Sequence, residues 1–261
     1  MGKTALTIPI VAAIVGAVTT TVTQAQQVPI PKTAAEVPGP ASGTIMTKAY
    51  VQTVARMAYM WGWALVDAAN RNAATAKKSE PGLIGGVVPT AYNGIAMLTG
   101  YIAADQHWIT CPNQDVAYGI GAFDLEKEPM VFQVPEFGDR FWVYALYDAR
   151  TDEFAEIGKQ YGTRPGFYLM VGPDWKGEIP AGIIAVVRSS TNKVLAGPRI
   201  FMDDTPEDHS AVQPAISQID FYPLSQFDGK MKTKDWSKLP NFPAATSSGK
   251  GETEWVNHLL R

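Results

Sequence analysis

Residues 117–148 read AYGIGAFDLEKEPMVFQVPEFGDRFWVYALYD. Apolar runs at 117–123, 130–134 and 141–148 are separated by the charged link 126–129 and by Phe137-Gly138-Asp139. Each run is strand length, and each break carries residues that turn the chain. Working outward, 107–110 fits a strand upstream, and 153–158, 166–171, 183–188 and 194–201 continue the series downstream. Pro112-Asn113, Gly172-Pro173-Asp174 and residues 189–192 supply the remaining turns. Short strands spaced by about 8–12 residues predict a sandwich or barrel, in which two sheets bury each other's apolar faces. No helical pattern separates the strands, so a doubly wound fold is not expected.

Upstream the period changes. Tyr50, Val54, Met57, Trp61, Leu65 and Ala68 fall on one stripe of an N-terminal amphipathic helix that ends near Asn70. Its aromatic face, with Tyr59, Trp61 and Trp63, is expected to lie against a sheet. A second, short helix is predicted near 205–218. Thr205 provides the capping hydroxyl, Pro206 the first helical residue, and Glu207 and Asp208 the acids that suit orphan N–H groups. Residues 71–100 read as irregular. The organisation is then a signal peptide at 1–25, a Pro- and Ala-rich linker at 26–45, a helix-plus-sandwich domain at 46–228 and a loosely ordered polar tail at 229–261.

Hydrophobic residues make up 46% of the 261-residue chain against 18% charged, enough to fill a core. The formal net charge is -3 with no basic run, so no nucleic-acid partner is expected. Lys3 is the only charge before Lys32, residues 8–18 are apolar, and Thr23-Gln24-Ala25 offers small residues at the cleavage positions. That is a secretory signal, and the apolar run is far shorter than the roughly 20 residues that span a bilayer. Export to the periplasm or medium is expected, with no stable membrane anchor after cleavage. The single cysteine, Cys111, cannot form an internal disulfide and is expected to be a small buried hydrophobe.

The motifs narrow the chemistry. The sequence holds no phosphate-binding Gly-Lys loop, no nucleophile elbow, no His-Glu-x-x-His and no Cys-x-x-Cys. Gly119-Ile120-Gly121 lacks the third glycine and the helix of a dinucleotide fingerprint. His107, Cys111 and Asp115 have no fixed geometry across a strand-to-loop junction, and His209 and His258 lie far along the chain, so no metal and no cofactor is expected. Polar clusters remain at strand ends. Asn113, Asp115 and Tyr118 surround one turn, either as an Asx-turn or as the mouth of a site. Asp148 ends a strand beside Arg150, Asp152 and Glu153, and Arg188 and Thr191 close another.

These residues carry a family resemblance. Pro112-Asn113-Gln114-Asp115 followed by Tyr118 resembles the P-N-x-D-T-L-Y signature of the domain of unknown function 1254 family. The likeness continues through Gly138-Asp139-Arg140-Phe141, Leu146-Tyr147-Asp148, Gly172-Pro173-Asp174-Trp175-Lys176-Gly177 and Arg188-Ser189-Ser190-Thr191-Asn192 to Tyr222-Pro223-Leu224. It implies a mostly β, immunoglobulin-like β-sandwich with helices at its N-terminal side, exported, and it implies no reaction. Val116 stands where the family usually has Thr, and Gly119 where Ser is common, so no role can use those hydroxyls here. Many members continue past a stretch like Trp255-Val256 into a jelly-roll domain, so a single-domain version is expected.

Three readings fit. The chain binds a small molecule or a protein partner at the strand-end polar cluster of Asn113, Asp115, Tyr118, Asp148, Arg188 and Thr191. It is a hydrolase with Asp115 or Asp148 as general base and Arg188 as anion anchor. Or it is a truncated domain that needs a separate partner chain or pairs as a homodimer.

Overall fold

The computed structural model describes residues 33–75, 80–83, 86–90, 92–106, 109 and 111–241. The chain divides into two compact units, residues 1–51 and 52–261. In the first, Thr33 donates to the Glu36 carboxylate across the turn Ala34–Glu36, and the Thr47 hydroxyl accepts from Tyr50 N at 3.2 Å to cap helix α1 (Lys48–Thr75). Most of α1 belongs to the second unit.

The body of that second unit is mostly β. Strands β1 (Gly94–Met97), β2 (Val116–Asp124), β3 (Met130–Val134), β4 (Trp142–Asp148), β5 (Gly166–Val171), β6 (Ile183–Arg188), β7 (Lys193–Phe201) and β8 (Phe221–Pro223) form two four-stranded sheets. Their orders are β1-β2-β7-β4 and β6-β5-β3-β8, antiparallel except for the parallel pair β5–β6. Helix α2 (Pro206–Ser217) joins β7 to β8.

The sheets face each other across one core. Phe123 from the first sheet stacks on Phe221 from the second at 5.2 Å, and Phe221 stacks in turn on Phe132. Tyr144 crosses the gap with its ring against Phe132 and Phe221, and donates its hydroxyl to Gln133 O at 2.9 Å. The alternation is clearest in β7, where every second residue is buried. Strands β3 and β4 are buried almost throughout.

Several expectations need correction. α1 reaches Thr75 and does not lay its aromatic face on a sheet: Trp61 is 81% exposed, and Met57, Met60 and Leu65 are exposed with it. The sheets already bury each other's apolar faces, so the sandwich core closes without α1. Among the described residues no helix is long and apolar enough to cross a membrane. Residues 153–158 form no strand. They run along β4 by isolated bridges, with Tyr144 N donating to Ile157 O and Phe154 N to Leu146 O.

Gly94–Met97 and Phe221–Pro223 join the sheets although neither segment carries a strand pattern of its own. The predicted strand at 107–110 lies outside the described residues, apart from Ile109 in a bend. Cys111 is exposed, in a turn where its φ is 49°. The tail is packed as far as it is described. Trp236 is buried and donates its indole N–H to Ile216 O at 3.1 Å, and Lys232 N donates to the buried Gln133 side chain at 2.7 Å.

Candidate functional site

The strand-end residues fall into two groups at opposite ends of the sandwich. At the end where β2 begins, Tyr118 receives a hydrogen bond from Asn113 N at 2.8 Å and lies under the Arg199 guanidinium at 5.6 Å. Asp115 belongs to the same end through its carbonyl, which accepts from Met202 N. Tyr101 also reaches this end and donates to Met202 O at 2.6 Å. Its phenol is pushed up by burial and then by the charges of Asp204, Asp203, Asp115 and Asp208. Arg140 grips both oxygens of Asp208 there. That pair, with the Asp203 N–H, holds the Asp208 carboxyl at about 2.

Asp148 and Thr191 lie at the far end. Tyr118 pairs with Arg199 and Asp148 with Val194, five residues further along β7 and therefore roughly 17 Å away. Asp148 is buried and takes hydrogen bonds from the Ser190 hydroxyl and from Arg150 N and Asp152 N at 2.7 and 3.1 Å. Burial alone would raise its pKa. The hydrogen bonds and the Arg150 charge outweigh that and hold the carboxyl below its ordinary value. A carboxylate tied down in this way is a poor base near neutral pH.

Thr191 accepts from Ala149 N and donates to Lys193 O. Arg188 gives one nitrogen to the carbonyls of Gly172, Pro173 and Trp175, fastening the turn after β5. That turn meets Asn192 so closely that a side chain at Gly172 would collide with the asparagine amide. Asp148, Arg188 and Thr191 therefore staple strand ends together, and they do not meet Asn113, Asp115 and Tyr118. Among the described residues no group of three or more His, Cys, Asp or Glu could hold a metal ion.

A concavity lies elsewhere. A groove of ≈ 680 Å³ lies between α2 and the strap that carries Thr233 to Ser237, with Thr99 at one side. Thr205 caps α2 by accepting from Asp208 N, with Pro206 first in the helix, as the sequence predicts. The helix thus turns Ser210, Gln213 and Ser217 toward the groove. Pro214, inside the helix, has no N–H to return to the Ser210 carbonyl.

The opposite wall is the strap. It is held by Trp236 and by Lys234, whose ammonium reaches the buried Asp220 at 2.6 Å and lies 5.3 Å from the Trp236 ring. Burial raises the Asp220 carboxyl, and Lys234 and the Phe221 N–H only partly offset it. Gln133, buried in β3, ties this wall to the sandwich through Gln218 O and Lys232 O.

Residues 92–223 match the family described as Protein of unknown function (DUF1254). The chain belongs to the DUF1254 family. The match holds all the strands and α2, so one wall of the groove lies inside it and the strap lies beyond it. No curated protein matches the chain. Among solved structures, this DUF1254 chain is similar to the VPA0106 protein from Vibrio parahaemolyticus, with a TM-score of 0.51 and 22% identity. The likeness covers 77% of this chain and 48% of that one, so the chain spans about half of its length. At that identity the likeness is one of fold.

In this DUF1254 chain the signature residues Asn113 and Tyr118 close on each other, and Val116 is buried, in keeping with its loss of a hydroxyl. The groove is not legible in the sequence, because its strap falls in the polar segment 229–261 that composition marks as loosely ordered. Trp236 was the available signal. A tryptophan amid polar residues needs an apolar site for its ring and a partner for its N–H.

Proposed function

We propose that this chain is an exported binding protein of the DUF1254 family that takes a small polar molecule into the groove between α2 and the strap. The observation that supports this reading is the groove itself. Its ≈ 680 Å³ falls within the roughly 300–1,000 Å³ range of small-molecule sites, and polar side chains from two separate segments converge on it. The strand-end residues offer less, because their polar groups are largely engaged with their own backbone. Export rests on Lys3, the apolar run at 8–18 and the small residues Thr23 and Ala25.

The test is a thermal-shift screen of the protein against polar metabolites, repeated on Ser210→Trp. Ser210 is exposed on the groove wall, so the indole should fill the groove without disturbing the core. A ligand should raise the melting temperature of the parent chain and not of the variant. A ligand whose shift survives Ser210→Trp would place binding outside the groove.

A further inference from the structure

The side-chain donors of the α2 wall are already committed, as are those of Trp236 and Ser237 on the strap. Ser210 gives its hydroxyl proton to Pro206 O at 2.9 Å, and Ser217 gives its own to Pro214 O at 2.8 Å. Gln213 spends its amide N–H groups on Thr99 O and His209 O, both at 2.8 Å. The Trp236 N–H goes to Ile216 O, and the Ser237 hydroxyl goes to Asp235. What these side chains turn to a ligand is lone pairs: two serine oxygens and the Gln213 carbonyl. A ligand that binds the α2 wall must therefore bring its own donors.

The charges around the groove are committed in the same way. Lys234 is paired with Asp220 at 2.6 Å and Asp235 with Lys238 at 2.9 Å. A charged ligand would lose hydration there and meet no unpaired counter-charge, which is costly. An anion would also face the lone pairs of the α2 wall. A neutral molecule with many hydroxyls has neither difficulty, and Pro214 and Trp236 supply apolar surface for its C–H faces.

Building on the groove reading above, we propose that the ligand is a neutral polyhydroxyl compound, a mono- or disaccharide or a polyol. Each acceptor on α2 then takes one ligand hydroxyl, and removing one hydrogen bond should weaken binding roughly fivefold.

The probes are trehalose, cellobiose and sorbitol as neutral compounds, glucose 6-phosphate as the anion and glucosamine as the cation. Binding to the full chain is followed by calorimetry and by the melting temperature. The expected result is that at least one neutral probe binds and the charged ones do not. Ser217→Ala should weaken that binding roughly fivefold, with little change in melting temperature without ligand, and Ser210→Trp should abolish it. Binding of glucose 6-phosphate or glucosamine alone, lost in Ser210→Trp, would overturn the polyhydroxyl assignment and leave the groove as the site. Failure of all five probes also overturns it, while the wider metabolite screen still decides the groove. A neutral probe whose binding is untouched by both variants would overturn both readings.

Discussion

Replacing Lys234 by Met tests the electrostatics beneath the groove. Asp220 is 1% exposed, and burial already raises its carboxyl above the ordinary value despite the ammonium at 2.6 Å. Methionine keeps most of the apolar stem and removes the charge, so the carboxylate is left with the Phe221 N–H and the more distant Lys232. Breaking a fully buried pair costs about 3–5 kcal/mol. The Lys234 side chain is 43% exposed, so solvent screens the pair and about 1–2 kcal/mol is expected. For a body of this size that is a fall of roughly 2–8 °C in melting temperature at pH 7.

The sign with pH follows from the raised carboxyl. Between the unfolded value, 3.8, and the higher folded value, the native state binds more protons, so stability falls as pH rises through that window. Removing Lys234 lifts the folded value further. The deficit of the variant should therefore be full at pH 7 and shrink as the pH is lowered toward 4. Adding Asp220→Asn to Lys234→Met should recover most of the loss, because the amide oxygen can still accept from Phe221 N. Chemical denaturation across pH reads all three proteins. A deficit of equal size at pH 4 and pH 7, or a double variant no better than the single, would refute this account.

Other expectations are simpler to check. Thr205→Ala removes the cap of α2 and should cost about 1 kcal/mol in denaturant unfolding. Asp208 has a lowered carboxyl, so its stabilising pairing with Arg140 should be present above pH 4 and lost as pH falls toward 2. Asp208→Asn should accordingly converge with the parent chain at the acid end of a denaturation series. Phe132→Ala opens the aromatic stack between the sheets and should cost about 3–5 kcal/mol, whereas Trp61→Ala on exposed α1 should stay within about 0.5 kcal/mol. Protein from a secretion-competent host should begin at Gln26 by intact mass, and recovery of the full-length chain alone would contradict export.

The legible parts of the fold share one property: their signal is local. β3 and β5 are apolar runs bounded by Pro or Gly, β6 starts directly after Gly182, and the predicted ends of all three coincide with those in the structure. The α2 start carries its cap in four consecutive residues. β8 had no such signal, since Phe221–Pro223 is three residues long, ends in proline and exists because β3 lies beside it. β1 is likewise four residues in a glycine-rich stretch, held by β2. Gln133 puts a polar side chain into an otherwise apolar strand. It is the residue that fastens the strap, and only the position of residues 218 and 232 reveals that.

The division of the strand-end cluster follows from strand direction. β2 and β4 both pair antiparallel with β7, so they run in the same direction as each other. Tyr118 stands near the start of one and Asp148 at the end of the other, which puts them at opposite ends of the sheet however similar their surroundings look in sequence. Periodicity identifies both as strand-end residues, but which ends meet is a property of pairing order. The groove has the opposite character. Its α2 wall and its strap are separate in the chain, and they are joined by the long-range bonds from Trp236 to Ile216 and from Lys234 to Asp220. Disrupting either bond should loosen the strap while leaving the strands paired. Ligand affinity in Lys234→Met should therefore fall at pH 7 although the variant stays folded, and equal binding in that variant would show that the strap is not a working wall of the site.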